Sequence, residues 1–390
     1  MIYLDHAATT PVYPAALEAA WPYLTGEFGN ASSTHELGHR ASVALEDARA
    51  RVAAFIGARA SEVIFTSGGT ESDNLGVIGL ALANPRGKHI VSAKTEHEAV
   101  LESIGFLERV HGFEVTWLPV AQFGQISMDD VRDALRPDTT LVTLMLSNNE
   151  MGTRHPVAQI AQAAHEVGAR MHTDAVQALG WLAVDVAALG VDALSISGHK
   201  VGAPKGVGAL YLRPGIALEP LIHGGGQEFE VRSGTENVAW AVAFATALDS
   251  LGAFDTINQH GERTAELRDA FITDVLNTVP RAKLPGPPTV GTTHRSPAIA
   301  SFVFEGVSGE AVLLQLEERG VIVSSGSACA AGSDDPSHVL LACGFAPELA
   351  QTSVRFSLSR HTTAEELAAT AQALRASIDA VSSLGESSTN

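Results

Sequence analysis

Short runs of consecutive apolar residues alternate along this chain with longer stretches rich in Ala, Leu and Glu. Glu62-Val63-Ile64-Phe65 reads as a strand, followed by a glycine turn and a helix through Leu80. His89-Ile90-Val91-Ser92, residues 141–146, Arg170-Met171-His172-Thr173-Asp174 and Ala193-Leu194-Ser195-Ile196-Ser197 read as further strands. Apolar runs without alternation suit strands buried on both faces, and helices between them give right-handed crossovers in a mostly parallel sheet. After Lys200 the pattern changes. Gly206-Val207-Gly208-Ala209-Leu210-Tyr211-Leu212 follows a Gly/Pro-rich turn and reads as a return strand antiparallel to its neighbour. Residues 240–278 read as one long amphipathic helix bridging two domains, and residues 280–297, rich in Pro, Gly and Thr, read as loop. A second α/β segment follows, with strands near 300–304, 321–323 and 353–358.

Length and composition narrow this picture. A chain of 390 residues is too long for one ordinary core and suits two packed domains. The formal net charge is −19. Such a surface repels phosphate backbones and anionic lipid, so neither nucleic acid nor a membrane is an expected partner. The only cysteines are Cys329 and Cys343, so a disulfide framework is not expected and a reducing compartment is favoured. The first residues carry no basic stretch followed by an apolar one, so a cytoplasmic location is expected.

Four constellations carry candidate chemistry. Ser197-Gly198-His199-Lys200 ends a strand in a Gly-rich turn. A lysine there can sit at a cleft floor, partly desolvated, as a Schiff-base lysine requires; an exposed turn lysine is the plain alternative. Asp174-Ala175-Val176-Gln177 places a carboxylate at the C-terminal end of a strand, where open α/β sheets bind ligands. Opposite a pyridine nitrogen Asp174 would keep that nitrogen protonated, and Gln177 could reach the ring's phenolate oxygen; Asp174 could equally be a helix cap. Gly68-Gly69-Thr70 sits between strand and helix, a turn that can cradle an anion but lacks the ending of a Walker loop. The stretch 324–333 is small and polar apart from Cys329, which suits a nucleophile or sulfur carrier, or an incidental surface thiol. Cys343, among Leu340, Leu341 and Phe345, reads as core packing. His97 could stack on a flat ring and move protons. Arg355, inside an apolar strand, needs an anionic partner, either a substrate carboxylate or a structural ion pair. No metal-ligand spacing is evident.

Taken together these segments resemble the NifS/IscS-like cysteine desulfurases, class V aminotransferases that bind pyridoxal 5'-phosphate (PLP) in fold type I. The resemblance runs from Tyr3-Leu4-Asp5-His6-Ala7-Ala8-Thr9-Thr10 to Ser353-Val354-Arg355-Phe356-Ser357-Leu358. It implies an α/β architecture with a large PLP-binding domain over residues 15–255, whose mostly parallel seven-stranded sheet is sandwiched by helices. A smaller α/β domain, residues 1–14 and 256–390, would carry the catalytic cysteine. By the same resemblance Lys200 looks like the cofactor-bearing lysine, Asp174 the pyridinium partner and Gln177 the phenolate contact. His97 looks like the ring-stacking acid/base. Gly69 lies in the matching phosphate turn, and Thr70, Ser197 and His199 match phosphate contacts. Asn149 and Arg355 match the substrate-carboxylate region. Thr235 resembles a residue reaching the partner subunit's phosphate, which implies a homodimer. Cys329 looks like the persulfide carrier, on a loop of the longer type. The implied reaction converts L-cysteine to L-alanine and passes sulfur to an acceptor protein, an iron–sulfur scaffold or a thiolation protein. A selenocysteine lyase or an aminotransferase on the same fold, and a sulfur-relay scaffold without catalysis, remain the alternatives.

Overall fold

The computed structural model of the chain describes residues 1–83, 86–288, 294–326 and 335–387. Its strands are β1 (Ile2–Tyr3), β2 (Val63–Thr66), β3 (His89–Ala93), β4 (Glu114–Leu118), β5 (Thr139–Thr143), β6 (Arg170–Asp174), β7 (Ala193–Ser197), β8 (Gly208–Leu212), β9 (Ala282–Lys283), β10 (Ile299–Phe304), β11 (Val321–Ile322) and β12 (Val354–Ser357). Seven of them form the central sheet in the order β2-β8-β7-β6-β5-β3-β4. β8 runs antiparallel to both β2 and β7, and the other pairs are parallel. This is the mostly parallel sheet with a return strand that the sequence pattern predicts.

Successive residues along each strand enter different cores. Phe65, Val91, Val142 and Leu194 join one apolar cluster, covered by the helices Pro14–Thr25, Glu36–Phe55 and Val238–Asp249. Ile64, Ile90, Leu141 and Ala193 join another, covered by Gly69–Ala83 and Glu98–His111. The period-two geometry of a strand divides the side chains between faces, and helices on both sides exclude water from both. That is why these strands read as unbroken apolar runs.

A separate core lies around β10. It joins Leu4, Phe271, Phe302, Phe356 and Leu374, and Phe271 packs edge-on against Phe356 at 5.2 Å between centroids. β10 pairs antiparallel with β12 and β9, while β1 pairs parallel with β11. The chain's first residues are thereby tied to elements more than 300 positions away.

Several expectations need correction. Residues 240–278 form two helices, Val238–Asp249 and Phe254–Thr278, bent by 69°. Gly252 supplies the break with φ +86°, a conformation open to glycine, while Leu251 beside it stays buried. The stretch read as loop at 280–297 contains β9. The strand read at 141–146 closes at Thr143, although the amides of Leu144 and Leu146 still bond to His172 and Asp174. The sheet edge β4 escaped the pattern because only one of its five residues is fully buried. Among the described residues no single helix is long and apolar enough to cross a membrane.

Candidate active site

The C-terminal ends of β6 and β7, and the loops after β2, β3 and β5, open onto one cleft of about 360 Å³. Every residue nominated from the sequence lines it except Cys329 and Thr235. Cys329 lies outside the described residues. Thr235 is exposed and lines a separate pocket with Ser67 and Arg232, so a single chain does not bring it to Lys200.

Lys200 closes the short turn Gly198–Lys200 that leaves β7. Gly198 must be glycine there, since a Cβ would stand 2.9 Å from both Ala203 and Val207. The ammonium donates to the carbonyls of Ala7 at 2.5 Å and Ala8 at 2.8 Å. Gln177 Nε2 also donates to Ala7, at 2.9 Å. The N-terminal segment thus forms one wall of the cleft.

Asp174 is the buried last residue of β6, and its Oδ1 accepts from the Val176 amide at 2.8 Å. Burial raises its carboxyl above the ordinary range, partly opposed by His97, the Val176 amide and Lys200. Two further carboxylates, not singled out from the sequence, lie close. Asp73 lines the cleft and is raised well above the usual value by burial and then by the charge of Asp174. Glu96 is raised well above by burial, although the Met145 amide donates to its Oε1 at 2.9 Å. Asp73 lies in the polar first turns of its helix, between Ser72 and Asn74, so no break in an apolar pattern singles it out in the sequence.

At the other end of the cleft, Gly69 begins the 15-residue helix Gly69–Ala83. A Cβ at Gly69 would meet Val176 at 3.1 Å and Ser197 at 3.4 Å, so glycine keeps this corner open. The Ser197 hydroxyl is buried there with no hydrogen-bond partner. A helix N-terminus and an orphaned hydroxyl have the chemistry to receive an anion, and Thr70 also lines the cleft. His199 contacts Thr9 Oγ1 at 3.2 Å, and burial, then Lys200 and Lys205, hold its imidazole at about 4, neutral at physiological pH. An anion cradle, a buried carboxylate and an amine in one cleft fit a flat, phosphorylated pyridine aldehyde.

His97 caps the helix Glu98–His111, its Nδ1 accepting from the Ala99 amide at 3.1 Å. The neutral ring then carries its proton on Nε2. Arg355 is almost wholly buried on β12. It donates through Nη1 to the Asn149 carbonyl at 3.1 Å and through Nη2 to Asp5 Oδ1 at 3.0 Å. The structural ion pair is therefore present, and the buried Nε has no partner. Cys343 is core packing as the sequence suggests, its thiol pushed up to about 12, first by burial and then by Glu150.

The family model for class-V aminotransferases matches residues 2–370. The cysteine desulfurase IscS of Dictyoglomus turgidum is 47% identical over 367 residues, covering 94% of this chain and 91% of its own. Among solved structures, a NifS-like protein superposes with a TM-score of 0.88 at 32% identity, covering 97% of this chain and 99% of its own. A structure of SspA in complex with cysteine superposes with a TM-score of 0.79 at 35% identity, covering 93% and 100%. Placed on the fold and cleft described above, these likenesses show that the chain belongs to the class-V aminotransferases and, among them, to the NifS/IscS-like cysteine desulfurases.

Proposed function

We propose that this enzyme uses PLP to convert L-cysteine to L-alanine and takes the sulfur as a persulfide on Cys329. The observation that carries the reading is the one cleft that gathers Lys200, the buried Asp174 and the orphaned Ser197 hydroxyl. The similar structure carrying cysteine supports the substrate.

When bound, PLP supplies an electron sink that acidifies the substrate's Cα–H bond. Ser197, Thr70, His199 and the amides around Gly69 would hold its phosphate. Asp174 would supply the carboxylate that pairs with its ring nitrogen. Arg355 Nε and Asn149 orient the substrate carboxylate, with Asp5 and the Asn149 carbonyl fixing the guanidinium plane. Lys200 takes the α-proton and returns a proton to carbon, and His97 Nε2 moves protons at the ring face. The Cys329 thiolate attacks the substrate sulfur; the carbon–sulfur bond breaks, the sulfur stays on Cys329 as a persulfide, and the carbon fragment leaves protonated as alanine. Thr235, exposed and remote from its own cleft, reads as a contribution to the cleft of a second copy, hence a homodimer. A sulfur-acceptor protein then removes the persulfide.

The purified holoenzyme is mixed with L-cysteine and a thiol reductant. Alanine and sulfide in equal amounts are expected, with a mass gain of one sulfur on Cys329 when the reductant is left out. Keto-acid formation in place of alanine would sink the reading. So would a Cys329→Ala variant that releases sulfide at the full rate.

A further inference from the structure

We propose that Glu150 is a positioning residue for the sulfur-transfer step, its carboxylate joining the two ends of the segment that carries Cys329. This rests on the function proposed above and concerns one step within it.

Glu150 follows Asn149 in the loop after β5 and lines the cleft while almost wholly buried. Its backbone is held on both sides. The amide donates to Asn148 Oδ1 at 2.9 Å, and the carbonyl accepts from the Ser301 hydroxyl on β10. The carboxylate is therefore presented from a fixed base.

Its Oε2 faces one described residue on each side of the cysteine segment. Ser337 Oγ donates to it at 2.5 Å. The same hydroxyl accepts from the Leu340 amide at 3.1 Å and so caps the helix His338–Ala342. On the other side stands Gly326. A Cβ there would lie 2.8 Å from Glu150 Oε2 and 2.9 Å from Ser353 Oγ, so the backbone passes against the carboxylate with no room for a side chain. One oxygen thus gathers positions 326 and 337, which bracket Cys329.

Both sides of the segment also border the cleft. Gly326 and His338 line the Lys200 cleft, and His338 Nε2 contacts the Glu96 carbonyl at 3.0 Å. Cys329 stands three positions after Gly326 in the sequence, a reach of about 10–11 Å at most. Fixing Gly326 and Ser337 thus limits where the thiol can be delivered. Burying a carboxylate is costly, and a structural role alone would be met by an apolar side chain of the same size. The Ser337 hydrogen bond on one side, and the lack of room for a side chain at Gly326 on the other, give that cost a purpose.

The test uses the full-length holoenzyme with Glu150→Ala, Glu150→Gln and Ser337→Ala. Cysteine binding is followed by the change in cofactor absorbance, and persulfide formation by quenched-flow mass spectrometry of Cys329. Glu150→Ala and Ser337→Ala should slow persulfide formation by about tenfold to a hundredfold. The binding midpoint should move less than about twofold. Glu150→Gln, which keeps an oxygen acceptor, should recover most of the rate. Equal slowing of both steps, or none, overturns the proposal. If Glu150→Ala fails to fold, Ser337→Ala decides by the same criteria. A wild type that binds cysteine but makes no alanine overturns the desulfurase reading instead.

Discussion

Gln177 and Lys200 donate to one acceptor, the carbonyl oxygen of Ala7, at 2.9 and 2.5 Å. These two donors follow the ends of β6 and β7, and the acceptor lies seven residues before the first helix, Pro14–Thr25. The N-terminal strand β1 is paired to β11, so the wall that meets Lys200 is anchored in the separate core around β10.

Replacing Gln177 with Ala removes one of the two donors and leaves Lys200 in place. A net loss of about 1 kcal/mol is expected, equivalent to about fivefold weaker cofactor retention. Loss of cofactor absorbance on dialysis measures it. Unchanged retention would show that Gln177 does not act at the cofactor.

Asp174→Asn keeps an acceptor for the Val176 amide and removes the charge. The fold should persist, and, on the function proposed above, turnover should fall by about a hundredfold or more, since the pyridinium would lose its counter-charge. Kinetics alongside a thermal melt separate the two effects. A variant of normal turnover would remove Asp174 from the mechanism.

Gly69→Ala narrows the anion corner, where the new Cβ would press on Val176 at 3.1 Å. Cofactor affinity should drop by about tenfold, a loss of about 1.4 kcal/mol. The cofactor-free protein should melt at or above the wild-type temperature, since Ala favours a helix over Gly. Fluorescence titration with the cofactor and a melt of the stripped protein check both halves.

His172 makes stability depend on acid. It is buried between Thr143 and Ser195, and burial lowers its imidazole from 6.5 to about 3. Below about pH 6.5 the unfolded chain takes up a proton that the folded chain refuses. The contribution of this group is therefore complete above pH 6.5 and falls by about 1.4 kcal/mol per pH unit on the way to about pH 3. Asp73 and Glu96, raised by burial, work in the opposite sense: their contribution falls as pH rises above the ordinary carboxylate range. Subtracting a His172→Gln variant isolates the histidine. Its stability deficit in urea should shrink by about 2–3 kcal/mol between pH 6.5 and 4.5. A deficit constant across that range would contradict the assignment.

What could be read from the sequence follows from how strongly each local pattern is forced. β3, β6 and β7 were legible because helices cover both faces and every strand position had to be apolar or satisfied. β4 was not, because an edge strand is free to carry Glu114 and Thr116. The break at Gly252 was hidden because residues on either side are good helix formers, and it is the packing of Leu251 that turns the chain.

The site divides along the same line. The sequence by itself determined the chemistry of single positions: a lysine in a glycine turn after a strand, a carboxylate at the end of another, a glycine at a helix start. These are local consequences of strand and turn geometry. Only the tertiary structure decided which groups meet. Lys200 bonds to a carbonyl 193 positions away, Arg355 pairs with Asp5 across 350, and Glu150 accepts from Ser337 across 187. No periodicity records such pairs, because they arise where two separately packed cores are brought against each other.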